Sequence, residues 1–292
     1  MSLLSETGED ALIERLVRLV PTHQGAGGPG DDCAVVDTGG GRLILLKADG
    51  LVEGVHFLKT ADSEAVGWKA VARVISDFAA MGGVAERFLV TLALPGAMEL
   101  SWIEGVYRGM GKCMETYGAN LVGGETCRVP DGSAAVLSIA ATGSVGREKI
   151  VLRSGGMPGD CLWVTGRLGG SLAGKHLAFS PRVEEAQWIA ERMAATAMMD
   201  VSDGLAKDLP RLAKASGCGF LLEMADVPLT QGCTLEQGLC DGEDFELLFA
   251  APADAVAGGW EQRFPGLELT RIGRLVAAGE GQSLAGGWDH FS

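Results

Sequence analysis

The stretch Gly27–Val36, GGPGDDCAVV, joins a glycine-rich loop to the start of an apolar run. Glycine lets a backbone turn tightly and approach a ligand closely. The neighbouring carboxylates of Asp31 and Asp32 repel each other unless a cation neutralises them. An ordinary turn or helix cap would explain one such loop alone. The stretch indicates a ligand-binding site only if acidic residues recur in similar settings along the chain.

Acidic residues do recur in such settings at four further places. Asp49 ends a predicted strand, Asp77 lies in a predicted helix, and Glu125 follows a Gly-Gly pair. The last place is the segment 200–204, which reads DVSDG. Oxygen ligands without neighbouring His or Cys favour Mg²⁺, Mn²⁺ or Ca²⁺ over zinc or copper. The pattern predicts a divalent-metal and nucleotide-phosphate site assembled from loops that are distant in the sequence.

Length, composition, net charge and cysteine pattern limit the classes of protein to which the chain can belong. A chain of 292 residues with 47% apolar and 21% charged residues suits one large or two modest folded domains. The net charge of −14 argues against binding to nucleic acid or to an anionic membrane. The seven cysteines form no CxxC pair, which favours reduced thiols over disulfides or zinc ligands. No apolar run approaches the ~20 residues that span a bilayer, so we expect a cytoplasmic protein.

Hydrophobic periodicity indicates alternating helices and strands. The order in the first half is β, β, α, β, α, β, β, which predicts an α+β (mixed α/β) fold whose sheet has helices on one face. A second half begins near Gly146. The predicted helices are 9–20, 63–81, 99–117, 181–195 and 205–216, and the predicted strands include 34–36, 43–48, 88–94, 134–141, 161–164, 198–201 and 247–250.

Two of the aspartates have alternative explanations. Asp77 shares a helix face with Val74 and Met81, where an unpartnered carboxylate is costly. It either points at a metal ion or lies at the edge of that face and reaches water. Asp203 either binds metal or caps the helix that starts at Leu205. The capping role does not account for Asp200, which lies three residues earlier.

Five sequence blocks resemble the signature blocks of the thiamine-monophosphate kinase family, and they occur in the family's order. They are GDDCA at 30–34, DGLVEGVHF at 49–57, ISDFAAMG at 75–82, DVSDGL at 200–205 and GEDFEL at 242–247. The resemblance implies transfer of the γ-phosphate of ATP to thiamine monophosphate, with several Mg²⁺ ions. It implies an N-terminal metal- and ATP-binding domain, 1–147, that pairs in a homodimer, and a C-terminal ATP and substrate domain, 148–292.

The resemblance also implies roles for individual residues. The Mg²⁺ ligands would be Asp32, Asp49, Asp77, Glu125, Asp200 and Asp203, of which Asp32, Asp77 and Asp203 would be catalytic. The contacts to ATP would be Gly124, Glu125, Arg153 and Ser202. The thiamine-phosphate pocket would be lined by His56, Glu243 and Trp288. Without the resemblance, His56 is interpreted as a structural histidine, and Trp288 could simply pack the C-terminus.

The chain departs from the family pattern at several positions near these residues. Lys47-Ala48 precede Asp49 where the family tends to have Ser or Thr. Glu125 stands in place of Asp, Asp241 replaces a glycine, and the segment 171–181 is short. Two alternatives therefore stay open. The first is a related ATP-using enzyme of the aminoimidazole-ribonucleotide synthetase-like superfamily with another acceptor, and the second is a non-catalytic nucleotide-binding paralogue.

Overall fold

The structure is a computed structural model that describes residues 3–22, 27–255 and 257–291. These residues form two five-stranded sheets and seven α-helices. The strands are β1 (Ala34–Val36), β2 (Arg42–Val52), β3 (Val84–Pro95), β4 (Asn120–Val129), β5 (Val136–Gly146), β6 (Cys161–Thr165), β7 (Ala197–Asp200), β8 (Gly219–Leu222), β9 (Leu247–Ala251) and β10 (Leu269–Val276). The helices are α1 (Glu9–Val17), α2 (Ser63–Ala80), α3 (Leu100–Thr116), α4 (Val183–Arg192), α5 (Leu205–Ala215), α6 (Leu235–Cys240) and α7 (Trp260–Arg263).

The first sheet has the strand order β1-β2-β5-β3-β4, in which β3 and β4 are parallel and the other pairs antiparallel. Alternate residues of β2, such as Leu45 and Leu51, are buried in the core that contains α2 and α3. Leu46, on the opposite face of β2, is exposed. The predicted α+β arrangement, with helices on one face of the first sheet, is confirmed.

Helix α2 lies between the two sheets. It begins after Asp62, whose carboxylate accepts a hydrogen bond from the backbone N–H of Ala65 at 2.9 Å. Gly67 permits close contact with α3, since a Cβ there would lie 1.9 Å from the backbone oxygen of Val106. Phe78 is buried in the core of the first sheet, whereas Ala79 packs in a cluster with side chains of the second sheet. One helix therefore contributes to the cores of both sheets.

The second sheet has the order β7-β9-β6-β10-β8, with all neighbours antiparallel. Its β8 and β10, together with the short helix α6, are absent from the sequence-based expectation. Ser171 opens a short 3₁₀ turn, Ser171–Ala173. The helix predicted at 181–195 begins two residues later and ends three residues earlier, as α4.

The helices and the cysteines can be compared with what the composition predicted. Each helix within the described ranges is too short or too polar to cross a bilayer. All seven cysteines are free thiols, as the absence of CxxC pairs predicted.

Candidate active site

Three of the predicted metal ligands come together where the two sheets meet α2. Asp32 precedes β1 of the first sheet, Asp77 lies on α2, and Asp200 ends β7 of the second sheet. One carboxylate oxygen from each residue lies within 4.8 Å of those from the other two. All three side chains are buried. We call these residues the carboxylate triad, and its formation requires both halves of the chain.

Asp77 does not reach water at the edge of its helix. Its exposed fraction is 7%, so that alternative from the sequence is wrong. Burial raises the pKa of Asp77 well above its ordinary value, because a charged carboxylate is poorly solvated there. Burial, together with the charge of Asp32, raises the pKa of Asp200 to about 6. Ser76 donates a hydrogen bond to Asp200, with an Oγ–Oδ2 distance of 2.5 Å.

The donor atoms of the triad fit a hard divalent cation. Mg²⁺ is bound in proteins by carboxylate and other oxygen atoms, and the triad supplies three carboxylates within one small volume. A divalent ion would neutralise carboxylates whose pKa values are raised by burial and, to a smaller extent, by their mutual repulsion. The chemistry of the donor set therefore agrees with the predicted Mg²⁺ site.

Two basic side chains bind the triad. The guanidinium of Arg153 binds both oxygens of Asp32, with Nη2–Oδ1 at 2.7 Å and Nε–Oδ2 at 3.1 Å. The ammonium of Lys47 lies 2.8 Å from Oδ1 of Asp77. Arg153 is also fixed by its backbone N–H, which donates to Asp31 Oδ1 at 3.0 Å. Arg153, a predicted ATP contact, therefore binds the predicted metal ligand Asp32. Lys47, which departs from the family pattern, binds the predicted metal ligand Asp77.

Asp49 lies near the triad but binds a different partner. On β2 it faces the same side as Lys47, two residues away. Its carboxylate binds Arg73 of α2, with Nε–Oδ2 at 3.2 Å and Nη2–Oδ1 at 3.3 Å. The structure therefore places Asp49 in an ion pair beside the triad and not within it.

Asp203 neither joins the triad nor caps α5. The N-cap position of α5 is Gly204, with φ of 99°, and no side chain caps the helix there. The carboxylate of Asp208 accepts hydrogen bonds from the backbone N–H groups of Ser202 and Asp203, at 3.0 and 2.9 Å. Asp203 itself binds Arg211, with Nη1–Oδ2 at 2.5 Å. The capping alternative for Asp203 is therefore wrong. Its carboxylate, a predicted metal ligand, forms an ion pair with Arg211.

Glu125 and Gly124 lie on the exposed edge strand β4. The carboxylate of Glu125 accepts a hydrogen bond from the backbone N–H of Thr126 at 3.0 Å. Glu125 is not part of the group formed by the triad. The structure thus leaves these two predicted ligand residues apart from the buried acidic cluster.

A cavity of about 120 Å³ lies beside the segment that follows Asp200. Five predicted site residues line it: His56, Ser202, Asp203, Glu243 and Trp288. A larger groove of about 730 Å³ is lined by Phe57, Trp102 and other residues outside the predicted site. The smaller cavity is the one that predicted site residues line and that adjoins the segment following Asp200.

Glu243 is already paired with a buried cation. The ammonium of Lys69 lies 2.7 Å from its carboxylate, and Nδ1 of His176 lies 3.0 Å from it. Burial would raise the pKa of Glu243, but the hydrogen bond from His176 and the charge of Lys69 lower it to about 2. Lys69 also donates to the backbone oxygen of His56 at 2.6 Å. A cationic substrate at this carboxylate would therefore meet an existing ion pair.

Trp288 lies at the mouth of the cavity and is 45% exposed, so it does not pack the C-terminus into a core. Its backbone N–H donates to the carbonyl oxygen of Asp203 at 2.8 Å. Its ring meets His290 edge-on, with centroids 5.9 Å apart, and His290 lies 5.3 Å from the ring of His56. Three rings thus line one side of the cavity.

Sequence reasoning missed Lys69 and Arg73, two basic residues that bind carboxylates of this site. Lys69, Arg73 and Asp77 recur every four residues, which places them along one face of α2. That spacing is a signal the sequence contains. The partners of these residues lie on other elements, so no local pattern predicts which carboxylate each one binds.

Comparison with known proteins agrees with this geometry. A family model described as AIR synthase related protein, N-terminal domain, matches residues 30–145. A second one, described as AIR synthase related protein, C-terminal domain, matches residues 157–284. The two matches correspond to the two sheets of the structure.

Individual relatives extend the similarity to nearly the whole chain. The chain is 37% identical to the thiamine-monophosphate kinase of Rhodopirellula baltica, over 87% of this chain and 84% of the relative. It is 33% identical to the thiamine-monophosphate kinase of Aquifex aeolicus over 99% of both chains. A solved structure described as AaThiL complexed with AMPPCP and TMP has a TM-score of 0.85 and 32% identity, and the match covers 99% of both chains.

Proposed function

The chain belongs to the thiamine-monophosphate kinase family, and we propose that it phosphorylates thiamine monophosphate with ATP to give thiamine diphosphate and ADP. The observation that carries the proposal is the segment from Asp200 to Asp203. Its first residue belongs to the carboxylate triad, and Ser202 and Asp203 line the adjoining cavity. One four-residue segment therefore joins a phosphate-activating site to an acceptor site.

In the proposed reaction, an oxygen of the phosphate of thiamine monophosphate attacks the γ-phosphorus of ATP. The bond from that phosphorus to the bridging β–γ oxygen breaks, and the electron pair leaves with ADP. No covalent intermediate on the protein is needed, so the protein acts by positioning and by charge. Mg²⁺ held by carboxylates of the site would neutralise the negative charge of the phosphates and help to align donor with acceptor.

We assign Mg²⁺ binding to Asp32, Asp77 and Asp200, whose carboxylates are close enough to share a cation. Asp49, Asp203 and Glu125 stay predicted ligands of further Mg²⁺ ions. For ATP, the proposed contacts are Gly124, Glu125, Arg153 and Ser202. Arg153 would leave Asp32 to bind phosphate oxygens, because a guanidinium fork fits phosphate as well as carboxylate.

For the acceptor, we propose that His56, Glu243 and Trp288 contact the ring system of thiamine monophosphate. The thiazolium ring is a cation, which an aromatic face attracts. The cavity of about 120 Å³ is smaller than the ~300–1,000 Å³ of typical ligand pockets, so one ring would enter it while the phosphate extends toward the triad. Support for this placement comes from the convergence of three predicted residues on one cavity.

A homodimer through the first sheet is also proposed. Three apolar side chains on β2, β3 and β4 line one shallow surface of the first sheet and are between 38% and 56% exposed: Leu46, Leu89 and Val122. Such a face on a sheet is typical of a surface covered by a partner, and a second copy of the chain is the partner that the family resemblance indicates. Light scattering should give about twice the chain mass of 30.3 kDa. Val122→Lys should lower that mass toward one chain.

We further propose a division into an N-terminal domain, 1–147, and a C-terminal domain, 148–292. The interval between the two family matches contains this boundary. A cytoplasmic location stays a prediction from the sequence.

One assay tests the proposed function against the open alternatives. ADP release is measured with Mg-ATP and thiamine monophosphate, with no acceptor, and with purine intermediates as acceptors. The proposal expects release that depends on thiamine monophosphate. Release with a purine intermediate alone would favour another acceptor, and nucleotide binding without release would favour a non-catalytic paralogue.

A further inference from the structure

We propose that Lys47 is a tethered cation that competes with a divalent metal ion for the carboxylate of Asp77. The inference rests on the metal site of the proposed function, but not on the identity of the acceptor. It assigns Lys47 a role in setting how tightly the free protein binds metal.

The position of Lys47 follows from the strand that carries it. Along β2, Lys47 points to the same face as Leu45, which is fully buried against α2. Its side chain is 23% exposed, and that of Asp77 is 10% exposed. Lys47 is therefore anchored at the inner face of the sheet, with its ammonium directed at α2.

The contact between Lys47 and Asp77 is direct and unshared. The ammonium nitrogen lies 2.8 Å from Oδ1 of Asp77 and donates a hydrogen bond to it. Among the described residues, Lys47 is the only basic side chain within 4.0 Å of Asp77. One oxygen of a triad carboxylate is therefore occupied by a cation of the chain itself.

The ammonium remains charged in this environment. Two carboxylates flank it, since that of Asp77 lies 2.8 Å away and Asp49 follows two residues later on the same face of β2. A second cation bound to Asp77 would meet a fixed positive charge at hydrogen-bond distance. The two cations repel each other, and Lys47 must move away for Asp77 to coordinate a metal ion fully.

Arg153 shows that neutralisation of the triad is a general feature of this structure. It pairs with Asp32 as Lys47 pairs with Asp77, so two of the three carboxylates have a basic partner. Asp200 instead accepts a hydrogen bond from the neutral hydroxyl of Ser76. The triad is thus held together by side chains of the chain before any metal binds.

The test is Mn²⁺ binding to the metal-stripped, full-length protein without nucleotide, measured from the electron paramagnetic resonance signal of free Mn²⁺. Lys47→Met removes the charge and retains an unbranched apolar stem. We expect this variant to bind Mn²⁺ at least tenfold more tightly than the wild type. The matched control is Lys112→Met, which changes the net charge equally at an exposed ion pair with Glu64 and should leave Mn²⁺ affinity unchanged.

Thermal unfolding gives a second readout that does not depend on activity. Without metal, Lys47→Met leaves Asp77 without its cation and should unfold at a lower temperature than the wild type. Mn²⁺ should then raise the unfolding temperature more in the variant, because tighter binding to the folded state stabilises it more. Lys47→Gln, whose amide can still donate to Asp77, provides a variant for the same titration if Lys47→Met folds poorly.

Mn²⁺ affinities of Lys47→Met and Lys47→Gln within twofold of the wild type would overturn the inference and leave the metal site intact. If neither the wild type nor any variant bound Mn²⁺, both the inference about Lys47 and the proposed metal site would be overturned. A failure to phosphorylate thiamine monophosphate, with the expected Mn²⁺ results, would refute the proposed acceptor alone.

Discussion

The guanidinium of Arg153 forms a two-pronged ion pair with the carboxylate of Asp32, at 2.7 and 3.1 Å. Asp32 is 1% exposed, so this pair neutralises a buried charge. The family resemblance assigns Arg153 to ATP and Asp32 to Mg²⁺. The two assignments are compatible if the ion pair opens when the ligands bind, so that Arg153 contacts ATP and Asp32 contacts Mg²⁺.

Arg153→Gln should therefore weaken binding of Mg-ATP. A charge-assisted hydrogen bond contributes about 1.5–3 kcal/mol, which corresponds to roughly a ten- to hundredfold loss in affinity. Calorimetric titration with an ATP analogue and Mg²⁺ measures this loss. Arg153→Lys keeps the charge without the fork and should give an intermediate affinity. Wild-type affinity in Arg153→Gln would mean that Arg153 only neutralises Asp32.

Trp288→Ala should raise the Michaelis constant for thiamine monophosphate and leave the affinity for Mg-ATP nearly unchanged. A stacked cation contributes about 0.5–2 kcal/mol, which is roughly a two- to thirtyfold change. Because Trp288 is 45% exposed, its loss should cost little stability. Steady-state kinetics and thermal unfolding of the same preparation separate the two effects. Loss of both substrates together with stability would instead assign the ring a packing role.

Glu243→Gln should destabilise the protein as well as weaken substrate binding. The carboxylate pairs with Lys69, whose side chain is fully buried, and the substitution leaves that ammonium without a counter-charge. We expect a loss of about 1–3 kcal/mol in the free energy of unfolding, measured with urea. The control is Glu184→Gln, which breaks an exposed pair with Arg263 and should change stability by less than about 0.5 kcal/mol. Equal stability of both variants would show that the pair with Lys69 contributes nothing.

His56 should contribute a pH-dependent stability. Burial, with the charge of Arg73, lowers the pKa of His56 to about 4, against 6.5 for an unperturbed histidine. Its Nδ1 accepts a hydrogen bond from the backbone N–H of Val52 at 3.0 Å, which requires that this nitrogen carry no proton. The unfolded chain binds the proton more tightly between these two pKa values. The contribution is therefore complete above pH 6.5 and lost as the pH falls toward 4.

The measurement is the free energy of unfolding of wild type and His56→Gln at pH 7, 6 and 5. The difference between the two proteins should shrink as the pH falls. NMR of labelled histidine should show a neutral His56 ring at pH 5. A ring that titrates near pH 6.5 would contradict this explanation.

The sequence predicted the backbone of the site better than its ion pairs. Long periodic segments such as 63–81 were predicted correctly because one face packs on a core along its whole length. The four-residue strand β8 and the strand β10 were missed because short or mixed patterns resemble loops. Asp208 accepts hydrogen bonds from the backbone N–H groups of Ser202 and Asp203. This role was missed because Asp203 itself is a residue type that can cap the helix starting at Leu205.

The triad was predictable because each aspartate lies in a short, distinctive block. Its basic partners were not. Lys47 is 30 positions from Asp77, and Arg153 is 121 positions from Asp32, so only the packing of distant elements brings each pair together. Asp203 and Glu125 were grouped with the triad by the recurring acidic pattern and by the resemblance, and the structure sets them apart from it.

The transfer of isotopically labelled phosphate tests the central claim most directly. Wild-type protein is incubated with Mg²⁺, thiamine monophosphate and ATP labelled in its γ-phosphate, and products are separated over time. We predict that the label appears in thiamine diphosphate in equal amount to the ADP formed, and that Asp77→Asn slows this transfer by orders of magnitude. Label that remains in ATP, or appears only as inorganic phosphate, would contradict the account.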